Sequence, residues 1–426
     1  MELPQVPEEY SFLSESAEGF DEPVYLRTVS DVKSDLISEG KDFLEINLPE
    51  MAVRLYKENK TIKEARILAV GDAQNWGGSA VGLYSIISGA KLSFSIVSKV
   101  YMPYAIHYYG KYYIHGEPYY PSGEKLISST SGGCIRLQNK DAKDIYELSE
   151  VNMPVLVVDK ESSYYQYINK ELSDFPEISA ESHLVADLDS GFVFSKESSE
   201  EKKPIASLSQ LMAALVIAEN IDLRKSILVE SEMLRPYGST QGLDPGKTFR
   251  IVELFYPLLI ESSDDAAEVL SRFLGRDKTV EKMNEKAKAI LMADTEFVDP
   301  LGSGLGNVST GQDLFQMARY LLNNRSPILK ISKGEEVGSF GGVGFDIENL
   351  WNKNIFTDDP SFVGGKTAYL SQSGHNAVFI FKFSSENEES RNIAIILLGS
   401  KEVKEDTRKI YKWVMDNYFT GPSTEE

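Results

Sequence analysis

Two textures follow one another along the chain. From about residue 40, apolar and polar positions alternate in short runs, and Phe43-Leu44-Glu45-Ile46-Asn47-Leu48 has the period of a half-buried strand. Residues 51–56 and 62–70 continue that pattern across a hairpin turn at Glu58-Asn59-Lys60. Further strands are expected at 82–87 and 105–114, a short helix at 141–148, and a closing strand at 154–158. Residues 160–182 are polar and rich in Ser and Glu, as a linker is. Beyond them the period changes. A hairpin is expected around Asp189-Ser190-Gly191, then helices at 207–219, 251–274, 279–292 and 310–322. The end returns to strands at 376–383 and 391–398 and closes on an amphipathic helix at 404–418. The division that follows is an acidic lead-in or linker over 1–36, with an extended piece at 23–26, and a mostly β domain over 37–160. A linker over 161–182, a helix-and-sheet domain over 183–420 and a tail over 421–426 complete it.

Composition narrows the classes of function. A length of 426 residues asks for two or three domains, and 42% hydrophobic residues with 22 Tyr and 20 Phe can fill their cores. A net charge of −21 argues against nucleic acid or an anionic membrane surface as a ligand. No apolar stretch is long enough for a membrane helix, and the Pro- and Glu-rich N-terminus has no secretion signal. Taken as the true start, Met1 implies a cytoplasmic protein. Taken as a cut made after an upstream signal or anchor, it implies an extracytoplasmic one. No metal is expected, because four scattered histidines and one cysteine form no ligand cluster.

That cysteine, Cys134, cannot form an internal disulfide. It lies in Ser131-Gly132-Gly133-Cys134-Ile135-Arg136, downstream of Ile114-His115-Gly116. Glycines before a thiol let backbone N–H groups converge on an oxyanion, and a histidine offers a base that turns the thiol into a thiolate. Residues 40–160 resemble the L,D-transpeptidase catalytic domain of bacterial cell-wall enzymes. Its motif places a histidine, a spacer, then Ser/Thr-His-Gly-Cys, an apolar residue and Arg or Asn. Ser131, Gly133, Cys134, Ile135 and Arg136 fall on it, 15 residues separate His115 from Ser131, and Met102-Pro103-Tyr104 matches an element upstream. The resemblance implies Cys134 as nucleophile and His115 as base, with oxyanion donors near Gly133 and Cys134. Arg136 either anchors a substrate carboxylate or holds the cysteine loop, and Ser131 orients that loop. One position departs: the second histidine of the family is Gly132 here. His107, on the way to His115, is either a substitute or an ordinary packed histidine.

Residues 183–420 resemble the D-alanyl-D-alanine carboxypeptidases among the penicillin-binding proteins. The resemblance rests on 204–212, Ser262-Ser263-Asp264-Asp265, Phe297-Val298-Asp299-Pro300-Leu301-Gly302, 309–314 and Gly365-Lys366-Thr367-Ala368. Each catalytic motif is altered. The serine, Ser207, has Gln210 where the family carries lysine, and an amide is no base. Ser262-Ser263-Asp264 stands for Ser-x-Asn, and Lys366-Thr367-Ala368 for Lys-Thr-Gly. The fold class expected is therefore multidomain, a mostly-β transpeptidase-like domain followed by an α/β (α+β) serine beta-lactamase/penicillin-binding-protein-like domain that is degenerate. The implied function is acyl transfer from a peptidoglycan tetrapeptide stem to an amine, giving a 3→3 cross-link, with carbapenem-type beta-lactams as inhibitors and no cofactor. Water as acceptor would make an L,D-carboxypeptidase. The reading from another class is a non-catalytic wall-binding scaffold. Lys366 or Asp264 as a substitute base for Ser207 remains open.

Overall fold

The computed structural model describes residues 24–160, 167, 172–234, 242–338, 347–384 and 390–419. Most of the lead-in, part of the 161–182 linker, residues 385–389 and the tail lie outside the described residues.

The first unit is built on a mixed sheet. Phe43–Asn47 runs parallel to Pro154–Val158 on one side and antiparallel to Ala52–Lys57 on the other. Ala52–Lys57 turns into Lys60–Gly71 through Glu58 and Asn59, whose φ angles of 49° and 62° are those a two-residue hairpin demands. All five residues of Phe43–Asn47 are buried, polar ones included, which departs from the half-buried strand expected of its alternation. The cover comes from the lead-in. Helix Val32–Ser38 sets Val32 and Leu36 against Phe43, Tyr56, Leu156 and Val158, and Lys33 Nζ lies 2.8 Å from the buried carboxylate of Glu45. Within the stretch expected as an acidic lead-in, residues 24–38 thus include a helix packed on the sheet.

The run 105–114 also differs from a single strand. It is the second half of Val100–Tyr109, a turn at Gly110-Lys111, and Tyr112–His115. Gly110 has φ 49°, and a Cβ there would lie 2.7 Å from the Glu219 carbonyl, so the turn is pressed onto the second unit. Tyr112–His115 pairs in parallel with Ile135–Leu137, which brings His115 level with Arg136, two residues past the cysteine.

The second unit is a five-stranded antiparallel sheet ordered 193–197, 182–187, 391–400, 374–383 and 362–370. Helix Gly311–Asn324 packs on one face. On the other, Ile410, Trp413 and Val414 of Val403–Val414 meet Phe379, Phe381, Ile393 and Ile395. Helix Ser209–Asn220 is apolar around its whole circumference and runs through the helical block. The stretch 251–274, expected as continuous helix, breaks between Phe255–Ile260 and Asp264–Leu274. Ser262 takes φ 57° at the break, and Ser263 Oγ accepts the Ala266 N–H to cap the next helix. No helix among the described residues is long and apolar enough to cross a membrane.

The two units share a buried ionic core. Glu219, near the end of Ser209–Asn220, pairs with Lys286 at 2.9 Å and Arg325 at 2.7 Å, all three fully buried. Tyr320 donates to the same carboxylate. From the first unit, Tyr84 accepts a hydrogen bond from Lys286 and Tyr112 one from Arg325, each at 2.7 Å.

Candidate active sites

Cys134 sits between the short strand Thr130–Ser131 and Ile135–Leu137. Ser131 shapes this loop. Its Oγ donates to the Cys134 carbonyl at 2.6 Å and accepts from the Gly133 N–H at 3.1 Å. That second bond occupies one of the two N–H groups expected to face an oxyanion. Gly133 has φ 111°, and a Cβ on it would lie 2.1 Å from the Tyr112 ring, so only glycine fits. Gly132 is the opposite case: it is exposed, its φ is ordinary, and a Cβ there meets nothing within 4 Å.

His115 is 4% exposed. Its Nδ1 lies 2.6 Å from the Gly116 carbonyl, and a carbonyl only accepts, so Nδ1 carries the proton and Nε2 keeps its lone pair. Burial, with the Arg136 charge assisting, lowers its pKa to about 4, so the ring is neutral near pH 7. Desolvation raises the thiol of Cys134, against the Tyr113 N–H and the charges of Lys111 and Arg136, which lower it. The resting pair is therefore a neutral thiol and a neutral imidazole. The described contacts of Cys134 include no direct bond to His115; its Sγ is 3.8 Å from the Lys111 carbonyl. His115, Cys134, Ser131 and Arg136 line one cavity of about 380 Å³. Arg136 is buried, donates from Nη1 to the Ser128 carbonyl at 2.8 Å, and leaves Nε buried without a partner among the described residues. It therefore ties the cysteine loop to Ser128.

Ser207 lies in the 3₁₀ turn Ala206–Leu208, where the non-glycine Ala206 takes φ 52°. Gln210 is fully buried and fully engaged. Its Nε2 donates to Asp264 Oδ1 at 3.2 Å and to the Leu301 carbonyl at 3.1 Å, and its Oε1 accepts from Ser262 Oγ at 3.0 Å. Lys366 Nζ donates to Ser262 Oγ at 2.7 Å. Burial, with Lys353 nearby, lowers the Lys366 pKa to about 7. Thr367 donates to the Lys353 carbonyl at 2.9 Å. Gln210, Ser262, Asp264 and Lys366 thus meet in one network, while Ser207 has no side-chain hydrogen bond to Gln210 or Lys366 among the described residues.

The other histidines stand apart from Cys134. His107 stacks on Tyr113 and bonds the Gly110 carbonyl at 2.9 Å, outside the cavity lining, so it does not replace the missing family histidine. His183 bonds Ser195, and His375 lies against Tyr369. Sequence reasoning missed Trp76 and Lys111 on the cavity wall, and Asp222, Leu223 and Arg224, which reach it from the second unit. No motif marks them; the turn at Gly110-Lys111 was the one available signal for Lys111.

Residues 41–157 match the family model of the L,D-transpeptidase catalytic domain, and residues 169–401 that of D-alanyl-D-alanine carboxypeptidase. A D-alanyl-D-alanine endopeptidase of Haemophilus influenzae is 33% identical over 215 residues, 49% of this chain and 72% of that protein. A D-alanyl-D-alanine carboxypeptidase of Mycobacterium tuberculosis is 29% identical over 200 residues, 46% of this chain and 68% of its own. Among solved structures, a D-alanyl-D-alanine carboxypeptidase from Mycobacterium tuberculosis superposes with a TM-score of 0.50 at 24% identity, covering 60% of this chain and 97% of that one. That likeness bears on the fold alone.

Proposed function

The chain belongs to the D-alanyl-D-alanine carboxypeptidase family and carries an L,D-transpeptidase catalytic domain ahead of that module; on that premise we propose that it is a peptidoglycan L,D-transpeptidase working through Cys134. The observation that carries the reading is the shared cavity of Cys134, His115 with Nε2 unprotonated, and Arg136. Sγ attacks the carbonyl of the third residue of a tetrapeptide stem, a diamino acid. His115 Nε2 takes the thiol proton during the attack, since the resting pair is neutral, and returns it to the departing amine of the terminal D-Ala. The thioester then passes to an amine of a neighbouring stem, or to water. With the Gly133 N–H held by Ser131, the oxyanion falls to the Cys134 N–H. Arg136 anchors a stem carboxylate. Substrates of this kind place the protein in the cell envelope, and carbapenems are the expected acylating inhibitors. Muropeptide analysis of peptidoglycan treated with wild type and Cys134→Ala tests the reading; equal product patterns would overturn it.

In the second unit, the amide of Gln210 gives Ser207 no base, and we read this module as no longer hydrolytic. One observation favours a second reading: Lys366, with a pKa of about 7, holds the Ser262 hydroxyl that reaches Gln210. A lysine neutral near pH 7 can accept a proton, so acylation of Ser207 by a fluorescent penicillin is the deciding assay. Labelling that disappears in Ser207→Ala establishes a second active site.

A further inference from the structure

The turn at Gly110-Lys111 caps the C-terminal end of helix Ser209–Asn220 from the neighbouring unit. The Lys111 N–H reaches the Glu219 carbonyl at 3.3 Å, and Nζ donates to the carbonyls of Ala218 at 2.7 Å and Ile221 at 3.4 Å. Carbonyls at a helix C-terminus are unsatisfied and carry the negative end of its dipole, so they hold an ammonium in a fixed place. Among the described residues, the side-chain hydrogen bonds of Lys111 go to these backbone carbonyls and none to a carboxylate. The same residue lines the cavity with Cys134, whose Sγ is 3.8 Å from its carbonyl. The family's histidine, which would stand beside the cysteine, is absent at Gly132.

We propose that Lys111 is a positioning residue of the cysteine site, an ammonium fixed by the carboxypeptidase-like module so that its charge favours the thiolate of Cys134. The inference rests on Cys134 being the nucleophile of the proposed reaction. It also gives the second module a task that survives the loss of its own base, since the helix that starts beside Ser207 ends on Lys111. The charged and titratable groups that act on Lys111 are Arg325, Glu219, Asp222 and the thiol of Cys134, and Arg136 acts on the same thiol. Burial and Arg325 lower the lysine's own pKa to about 8, so the charge is present near pH 7 and lost above pH 9.

Because the chain has one cysteine, the rate of iodoacetamide alkylation against pH reads this thiol alone. At pH 7, Lys111→Met should react about tenfold more slowly than wild type, and Lys111→Arg close to wild type, as loss of one nearby cation shifts a thiol by about one pKa unit. At pH 9.5 wild type should fall toward Lys111→Met, while Lys111→Arg stays faster because its guanidinium remains charged. Superposed profiles for all three, with only the melting temperature changed, would reduce Lys111 to a latch between units. If Lys111→Met does not fold, the comparison of Lys111→Arg with wild type at pH 9.5 decides alone. Failure of the proposed reaction shows differently, as no acyl adduct on wild type.

Discussion

The two candidate nucleophiles are held in contrasting surroundings. Around Cys134, His115 lines the same cavity and the charged neighbours, Lys111 and Arg136, are cations. In the second unit the family's lysine position holds the amide of Gln210, and the charged groups of its network are Asp264 and a near-neutral Lys366 that serves another serine, Ser262. The first site departs from its family's motif at Gly132, and His115 and Cys134 share one cavity. The second departs at Gln210, the position of the family's lysine, and that amide is bonded to Asp264. The lesson is that the number of altered motif positions matters less than which proton route each alteration cuts.

The largest test of this contrast is the nucleophile pair. Cys134→Ala should abolish carbapenem acylation, a loss of at least about 10³-fold, while Ser207→Ala leaves the adduct mass and rate unchanged. Intact-protein mass spectrometry reads both, and equal losses would erase the distinction. Next is the joint between the sites. Glu219→Gln leaves Lys286 and Arg325 as buried cations without their carboxylate, which should cost about 3–5 kcal/mol in denaturant unfolding. A change below about 1 kcal/mol would show that the tyrosines and dipoles already carry those charges.

Acid should weaken the first unit through His115. Its folded pKa, about 4, lies below the ordinary 6.5, so the unfolded chain binds the proton first on acidification. The contribution is complete above pH 6.5 and is lost as pH falls from 6.5 to about 4, a total of about 3 kcal/mol. Unfolding midpoints of wild type and His115→Gln across that range should converge at the acid end. Parallel curves would show that the imidazole is not held neutral.

The local chemistry of the first site was legible because it is written in contiguous residues. Ser131 through Arg136 fold into one loop, and Tyr112–His115 lies beside it in the sheet. What stayed hidden is set by distant partners. The run 105–114 hints at its turn only through Gly110-Lys111, and what makes Lys111 a cap is the carbonyls of Ala218 and Ile221, over a hundred residues on. The strand Phe43–Asn47 carries the pattern of a solvated face, yet Lys33 and Tyr56 satisfy Glu45 under a helix from the lead-in. In the second unit the motif changes read as independent events. The network joins two of them: Gln210 donates its amide to Asp264.

That coupling can be broken. Gln210→Lys alone places a lysine against the Asp264 carboxylate, where it stays protonated, so penicillin labelling of Ser207 should remain at background. Gln210→Lys with Asp264→Asn restores both partners together and should label. Gln210→Ala should cost about 2 kcal/mol, because Ser262 and Asp264 each lose a buried partner. Labelling by the single lysine variant would show that the substitutions are separate after all.

The smallest expected effect lies at the position where the first site departs from its family. Gly132 has an ordinary φ and open space around a would-be Cβ, in contrast to Gly133, where Tyr112 closes the site. Gly132→His should therefore fold within about 0.5 kcal/mol of wild type. Its imidazole would stand at the mouth of the cavity, where it can supply the oxyanion donor that Ser131 removes by holding the Gly133 N–H. Carbapenem acylation should then rise severalfold with no shift in the unfolding midpoint. An unchanged acylation rate would mean that Lys111 and Arg136 already supply what the family histidine does elsewhere, and that the glycine is no impairment.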